Sequence, residues 1–270
     1  MSLVRSPAGA LLAYESRRRL RESLVVAAGM AVLAVMMVAF FPSVQDSGAD
    51  LQAYVDSLPP AFSEAFGIEA FTTMGGFLAA ELYAFGWVIL LGLYLAYRGG
   101  GLVAADVETG RMDSLLAAPV SRGRVVVEAY ASLLVPVVVV NVVGFVVVYA
   151  GVLAVGESID LARLAMVHLL SVPYLLACGA IGLLLSVTLQ RRGAAEKGGL
   201  GLAFGLFLAE TVASTAGYDW VSWLAPSGYY DPTAILVRGE FAVAESALLL
   251  GVTAVLVALA VLRFRRADIR

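Results

Sequence analysis

SLLVPVVVVNVVGFVVVYAGVLAV, residues 132–155, runs for 24 residues without a charged side chain and with a single amide, Asn141. A helix of about 20 apolar residues, at 1.5 Å each, crosses the ~30 Å of hydrocarbon in a bilayer. Outward from this stretch, comparable runs occupy 24–41, 77–97, 164–189, 198–217 and 243–262. Charged residues make up only 14% of the 270 and collect in short blocks between the runs. A soluble domain carries roughly 25%, spread over its whole surface. With 61% hydrophobic residues and a mean hydropathy of +0.89, the chain reads as an all-α integral membrane protein with six transmembrane helices.

Six spans place both termini on one side, and the basic residues say which. The segment before the first span holds Arg5, Arg17, Arg18, Arg19 and Arg21; the connection between spans 2 and 3 holds Arg98, Arg111, Arg122 and Arg124. Arg191, Arg192 and Lys197 follow span 4, and Arg263, Arg265, Arg266 and Arg270 follow span 6. Sixteen of the 18 basic residues thus share one face, leaving Arg163 and Arg238 on the other. Basic residues stay cytoplasmic during insertion, so the expectation is a multi-pass cell-membrane protein with cytoplasmic N- and C-termini. The first run lacks a small-residue cleavage pattern and reads as a retained span. The opposite loops, 42–76 and 218–242, should be extracellular. In the first, Leu51, Tyr54, Val55, Leu58, Phe62 and Phe66 recur at helical spacing, as in short interfacial helices. In the second, Trp220, Trp223, Tyr229 and Tyr230 suit a segment lying in the interface or dipping back into the membrane before span 6.

Composition also excludes chemistry. One cysteine, Cys178, permits no intrachain disulfide. One histidine, His168, builds no metal site by itself. No Gly-x-x-x-x-Gly-Lys-Ser/Thr loop is present, so this chain does not hydrolyse ATP by itself. Gly99-Gly100-Gly101, at the end of a span, reads as a flexible hinge. Small residues along 198, 201 and 205, and at 178, 179 and 182, suit close helix packing, and Pro136 and Pro173 suit kinks.

Two segments on the basic side carry information. Residues 1–23 contain Ser6-Pro7, a helix start, and then Leu11, Leu12 and Leu20 among the arginines. This pattern predicts an amphipathic helix lying along the inner leaflet, its arginines toward anionic headgroups. Residues 98–131 include LVAADVETGRMDSLLAAPVSRGRVVVEAY, from Leu102 to Tyr130. Asp106 can cap a short helix with Met112, Leu115 and Leu116 on one face, Pro119 ends it, and Ser121 starts the next. An apolar patch rimmed by charge suits contact with a partner protein.

The segment Glu108-x-Gly110-x-Met112-x-x-Leu115-Leu116-x-x-Pro119-Val120-Ser121-Arg122 resembles the signature of the type 2 ABC exporter permeases. Six spans, the N-terminal amphipathic helix and the aromatic segment before the last span are similar to that family too, so the resemblance covers essentially the whole chain as one permease domain, 1–270. Arg111 stands where a threonine is common, and Glu128 near where a lysine often sits. The resemblance implies a non-catalytic transport subunit that pairs with a second copy or a paralogous permease. It implies a cytoplasmic ABC ATPase subunit as partner, which binds the ATP and magnesium; this chain needs no cofactor of its own. A helix from Glu108 to Leu116 would dock on the ATPase. Glu108, Asp113 and Arg122 would set register through charge, Met112, Leu115 and Leu116 would give apolar contact, and Gly110, Arg111, Pro119 and Ser121 would complete the segment. Membrane lipid is the remaining partner, and no nucleic acid is expected.

Polar groups inside the spans complete the inventory. Glu81, Asn141, His168 and Glu210 lie in apolar runs, and Glu245 lies near the outer end of the last. A carboxylate at a helix centre costs roughly 2.5–3.5 kcal/mol on insertion scales, so it faces a partner or water. Glu81, Asn141 and Glu210 are therefore candidates for a translocation path, whereas His168 reads as an interhelical hydrogen bonder. An ion-coupled carrier or channel using Glu81 and Glu210 is one alternative. An intramembrane enzyme is another, with Ser171 three residues from His168 as the nearest approach to a catalytic pair.

Overall fold

The computed structural model describes residues 10–46, 73–117 and 120–267. They form α1 (Ala10–Asp46), α2 (Met74–Glu108), α3 (Arg111–Leu116), α4 (Arg122–Ala131), α5 (Leu134–Ala154), α6 (Leu161–Leu189), α7 (Arg192–Thr215) and α8 (Val243–Arg265). Three short turns precede α8: two of 3-10 type, Asp219–Trp223 and Pro226–Tyr229, and one of π type, Ala234–Arg238. No strand occurs among the described residues. Six helical stretches, with α4 and α5 counted as one, are long and apolar enough to cross a membrane. The expected interfacial helices of the first outer loop, the Ser6-Pro7 helix start and Pro119 lie outside the described residues.

Several boundaries move outward from those the sequence suggests. α1 runs unbroken from Ala10 to Asp46, so the amphipathic segment is the N-terminal end of the first span's own helix and not a separate element. Arg17, Arg18 and Arg21 are exposed on it, while Arg19 turns inward. The helix also passes through Pro42, which costs one backbone hydrogen bond but leaves only a last turn beyond it. α2 extends to Glu108, so Asp106 lies inside a helix and caps nothing. Between Leu78 and Leu91, α2 widens to the π pattern, and the Tyr174 hydroxyl donates to the Val88 carbonyl there at 2.7 Å. The break between α4 and α5 at Ser132–Leu133 has a local cause. Pro136 has no N–H for the Ser132 carbonyl, and its ring crowds that carbonyl.

α6 is the central post, packed on α2, α5, α7 and α8. Asp160 starts it by accepting from the Arg163 amide at 3.0 Å. Where α2, α6 and α7 cross, backbone meets backbone. A Cβ on Gly99 would lie 2.1 Å from the Gly179 carbonyl oxygen, one on Gly182 2.0 Å from that of Ala96, and one on Gly100 2.4 Å from that of Ala195. Ser186 of α6 adds a tie at this crossing, accepting the Val103 and Ala104 amides at 3.0 and 2.8 Å. The glycines at 99 and 100 are thus a close-packed node and not a flexible hinge. In α7 it is Gly199 that joins this node, whereas Gly201 and Gly205 have nothing within 4 Å. One end of the bundle gathers the start of α1, the ends of α2 and α8, all of α3, and the α6–α7 junction. It carries the arginine clusters and is called the arginine-rich face below.

Candidate functional site

α3 is suspended on the arginine-rich face between α2 and α4. Gly110 makes the turn into it with φ +71°, a left-handed conformation that glycine adopts without penalty. Arg111 pairs with Glu15 of α1 and, at 3.4 Å, with Asp106 of α2. Burial works against its charge, but the hydrogen bond it donates to Glu15 and the field of Asp106 outweigh this and raise the guanidinium pKa above its ordinary value. Met112 is 1% exposed and packs into the chain's own core, so it is unavailable for the partner contact expected of it. Leu115 and Leu116 are half-buried, and Asp113 and Ser114 are exposed. Glu108 belongs to the end of α2, outside the short helix, and accepts the Arg192 amide at 2.7 Å, capping the start of α7. Ser121 caps α4 by accepting from the Arg124 amide at 3.3 Å. Arg122 donates to the Ala267 carbonyl at 2.8 Å, tying this segment to the end of the last span. Glu128 is buried and accepts from Arg124 at 2.6 Å.

A second group lies inside the membrane-spanning region. The Trp87 indole donates to Oδ1 of Asn141 at 3.1 Å. An indole nitrogen only donates, so the atom it meets is the amide oxygen. Nδ1 of His168, 3.0 Å from the same oxygen, therefore carries its proton, and Nε2 accepts the Tyr83 hydroxyl at 3.0 Å. Ser171 Oγ stands 2.9 Å from the amide oxygen and 2.7 Å from the His168 carbonyl. The amide nitrogen donates to the Val137 carbonyl at 2.9 Å. Asn141 thus joins α2, α5 and α6 and is itself 7% exposed. Both nitrogens of His168 are engaged elsewhere, so Ser171 and His168 form no nucleophile–base pair. Glu81 stands apart, exposed on the π-helical part of α2. Glu210 of α7 is half-buried and accepts from the Ser227 hydroxyl at 3.3 Å.

A family model described as "ABC-2 family transporter protein" matches residues 10–269, nearly the full length. The chain belongs to the ABC-2 transporter permease family. No individual curated protein matches it.

In this permease the residues that organise the arginine-rich face are partly those the signature did not include. Glu15 and Asp106, the two acids that hold Arg111, lie 96 and 5 positions away from it in sequence. Glu15 carried one local signal, its helical spacing to Arg19, and the two side chains do approach to 3.7 Å. Arg19 also donates to Ser132 at 2.7 Å, at the break before α5. Tyr83 and Trp87 had no distinguishing signal, since aromatic residues in an apolar span are ordinary. Among the described residues no cluster of histidine, cysteine, aspartate and glutamate could hold a metal ion.

Proposed function

We propose that this permease works with a separate cytoplasmic ATPase subunit, which binds ATP and magnesium, and exports an as yet unidentified substrate. The arginine-rich face is then cytoplasmic, since insertion keeps basic flanks on that side, and the membrane is the cell membrane. The observation that carries this reading is α3. It is a short helix fixed by chain to α2 and α4, and held by the Arg111–Glu15 pair to α1, with Asp113 and Ser114 outward and Leu115 and Leu116 at its rim. A push on α3 reaches three membrane-spanning helices at once, which is what rigid-body coupling to a closing ATPase dimer needs.

The permease acts in this reading as a pair, with itself or a paralogue. Only 11% of the most apolar window of α7 is buried, against 61% for α6. Glu81, exposed a turn inside the start of the second span, needs water or a neighbouring subunit in place of hydrocarbon. Both features support a second subunit beside α2 and α7, with Glu81 and Glu210 toward the path between them. Asn141 contributes from the side of the buried cluster, through the helices it joins.

The test is co-purification from native membranes, followed by an ATPase assay. Asp113→Lys reverses an exposed charge and leaves the fold intact; Leu115→Asp disrupts the rim. Wild type is expected to bring down a nucleotide-binding subunit and ATPase activity, with both variants losing most of each. Undiminished co-purification of both variants would sink the assignment of α3.

A further inference from the structure

On the arginine-rich face, a crevice with about 100 Å³ of internal space opens between the first turns of α1, the end of α2 and the start of α7. Its lining is almost entirely charged. Arg18, Arg19, Arg98 and Arg192 supply guanidinium groups, and Glu15, Glu22, Asp106 and Glu196 supply as many carboxylates. Glu15, Arg19 and Glu196 are each less than one-tenth exposed. Gly101 keeps the floor open: a Cβ there would lie 2.7 Å from the Glu196 carboxylate, so any larger residue would displace that group.

The depth of the crevice is set by its neighbours. On α1, Leu24 and Val25 are exposed just beyond Glu22, and on α7, Leu200 and Leu202 are exposed just beyond Glu196. Exposed apolar side chains on spanning helices mark where the hydrocarbon begins. The crevice therefore sits at that border, at the level of lipid headgroups.

Most of the charges hold one another. Arg98 pairs with Glu22, Arg192 with Glu196 at 2.8 Å, and Glu15 with Arg111. Arg18 is the exception: among the described residues it forms no ion pair or hydrogen bond, and it shares the crevice with Asp106. A lone anion would meet four carboxylates here, and a lone cation four guanidinium groups. A ligand that carries both signs a few ångströms apart satisfies both sets.

We infer that this crevice binds the headgroup of a phospholipid with a phosphate and a primary ammonium, as in phosphatidylethanolamine. The phosphate takes the free donors of Arg18 and the outer edge of Arg98; guanidinium groups meet phosphate oxygens in matching geometry. The ammonium donates its N–H groups toward Asp106 and Glu22. A trimethylated ammonium has no N–H to give, so a choline headgroup fits less well. A glycerol headgroup brings no positive charge at all. The site does not depend on any ATPase partner and stands or falls separately from the transport reading.

The test uses the full-length protein in lipid-free detergent, supplied in turn with phosphatidylethanolamine, phosphatidylcholine and phosphatidylglycerol, with retained lipid read by native mass spectrometry. The ethanolamine lipid is expected to be held about tenfold more tightly than the other two, the equivalent of one charge-assisted hydrogen bond. Arg18→Ala should lower retention of the ethanolamine lipid about tenfold with unchanged melting in lipid-free detergent, because that side chain supports no internal pair. Asp106→Asn should remove the preference for ethanolamine over choline. Equal retention of all three lipids, tightest retention of the glycerol lipid, or an Arg18→Ala variant that binds like wild type overturns the inference. Displacement by inorganic phosphate overturns it as well, since the site would then take phosphate alone.

Discussion

Gly182→Ala tests the crossing of α2, α6 and α7 most directly. The new Cβ would lie 2.0 Å from the Ala96 carbonyl oxygen, 2.6 Å from the Gly100 nitrogen and 2.9 Å from the Gly99 carbonyl carbon. All three are backbone atoms, so no side chain can swing aside. Ordinary non-bonded contact begins near 3.5 Å, and α2 and α6 must separate by about 1.5 Å. Gly199 of α7 rests against the same Ala96 carbonyl and the Gly182 Cα, so the third helix is displaced too. Overpacking of this kind costs about 3 kcal/mol. Alanine in a helix returns about 1 kcal/mol of propensity, leaving a net loss of about 2 kcal/mol. At about 2–4 °C per kcal/mol for a chain of this size, the melting temperature falls by about 4–8 °C. Gly201→Ala and Gly205→Ala are the controls. Neither glycine has an atom within 4 Å, so each should melt at or slightly above the wild-type temperature. The assay is thermal unfolding of purified protein in detergent. A Gly182→Ala variant that melts with the two controls refutes the close crossing.

Two further perturbations probe other parts of the structure. Asn141→Leu removes the acceptor shared by Trp87, His168 and Ser171; at about 0.6 kcal/mol per membrane hydrogen bond the loss is about 2 kcal/mol, visible as a lower melting temperature and changed emission of buried Trp87, and an unchanged melt contradicts the network. Gly110→Ala forces a side chain into φ +71° where nothing crowds it, a purely conformational cost of about 1–2 kcal/mol. Gly110→Asn should cost less, and the order of the two melting temperatures checks the left-handed turn.

The sequence alone determined what the bilayer demands: length, apolarity and the sorting of charge. Those constraints act along the chain, so the six spans, the aromatic segment before α8 and the helix between spans 2 and 3 were all legible. The motif at 108–122 was legible for the same reason, because its members are neighbours in sequence. Which partner each polar group takes was decided only by tertiary structure. Glu108 caps α7, Arg122 holds the end of α8, Arg111 reaches Glu15, and Met112 turns inward. None of these follows from spacing within one segment, since each requires knowing which helix ends meet. The glycines show the same divide. A sequence displays small residues at 99–101, 179, 182, 199, 201 and 205 alike, and α2, α6 and α7 can approach to backbone contact at any of them. The crossing uses Gly99, Gly100, Gly179, Gly182 and Gly199 and leaves Gly201 and Gly205 open, because the angle at which three helices meet is a property of their joint packing and of no single stretch of chain.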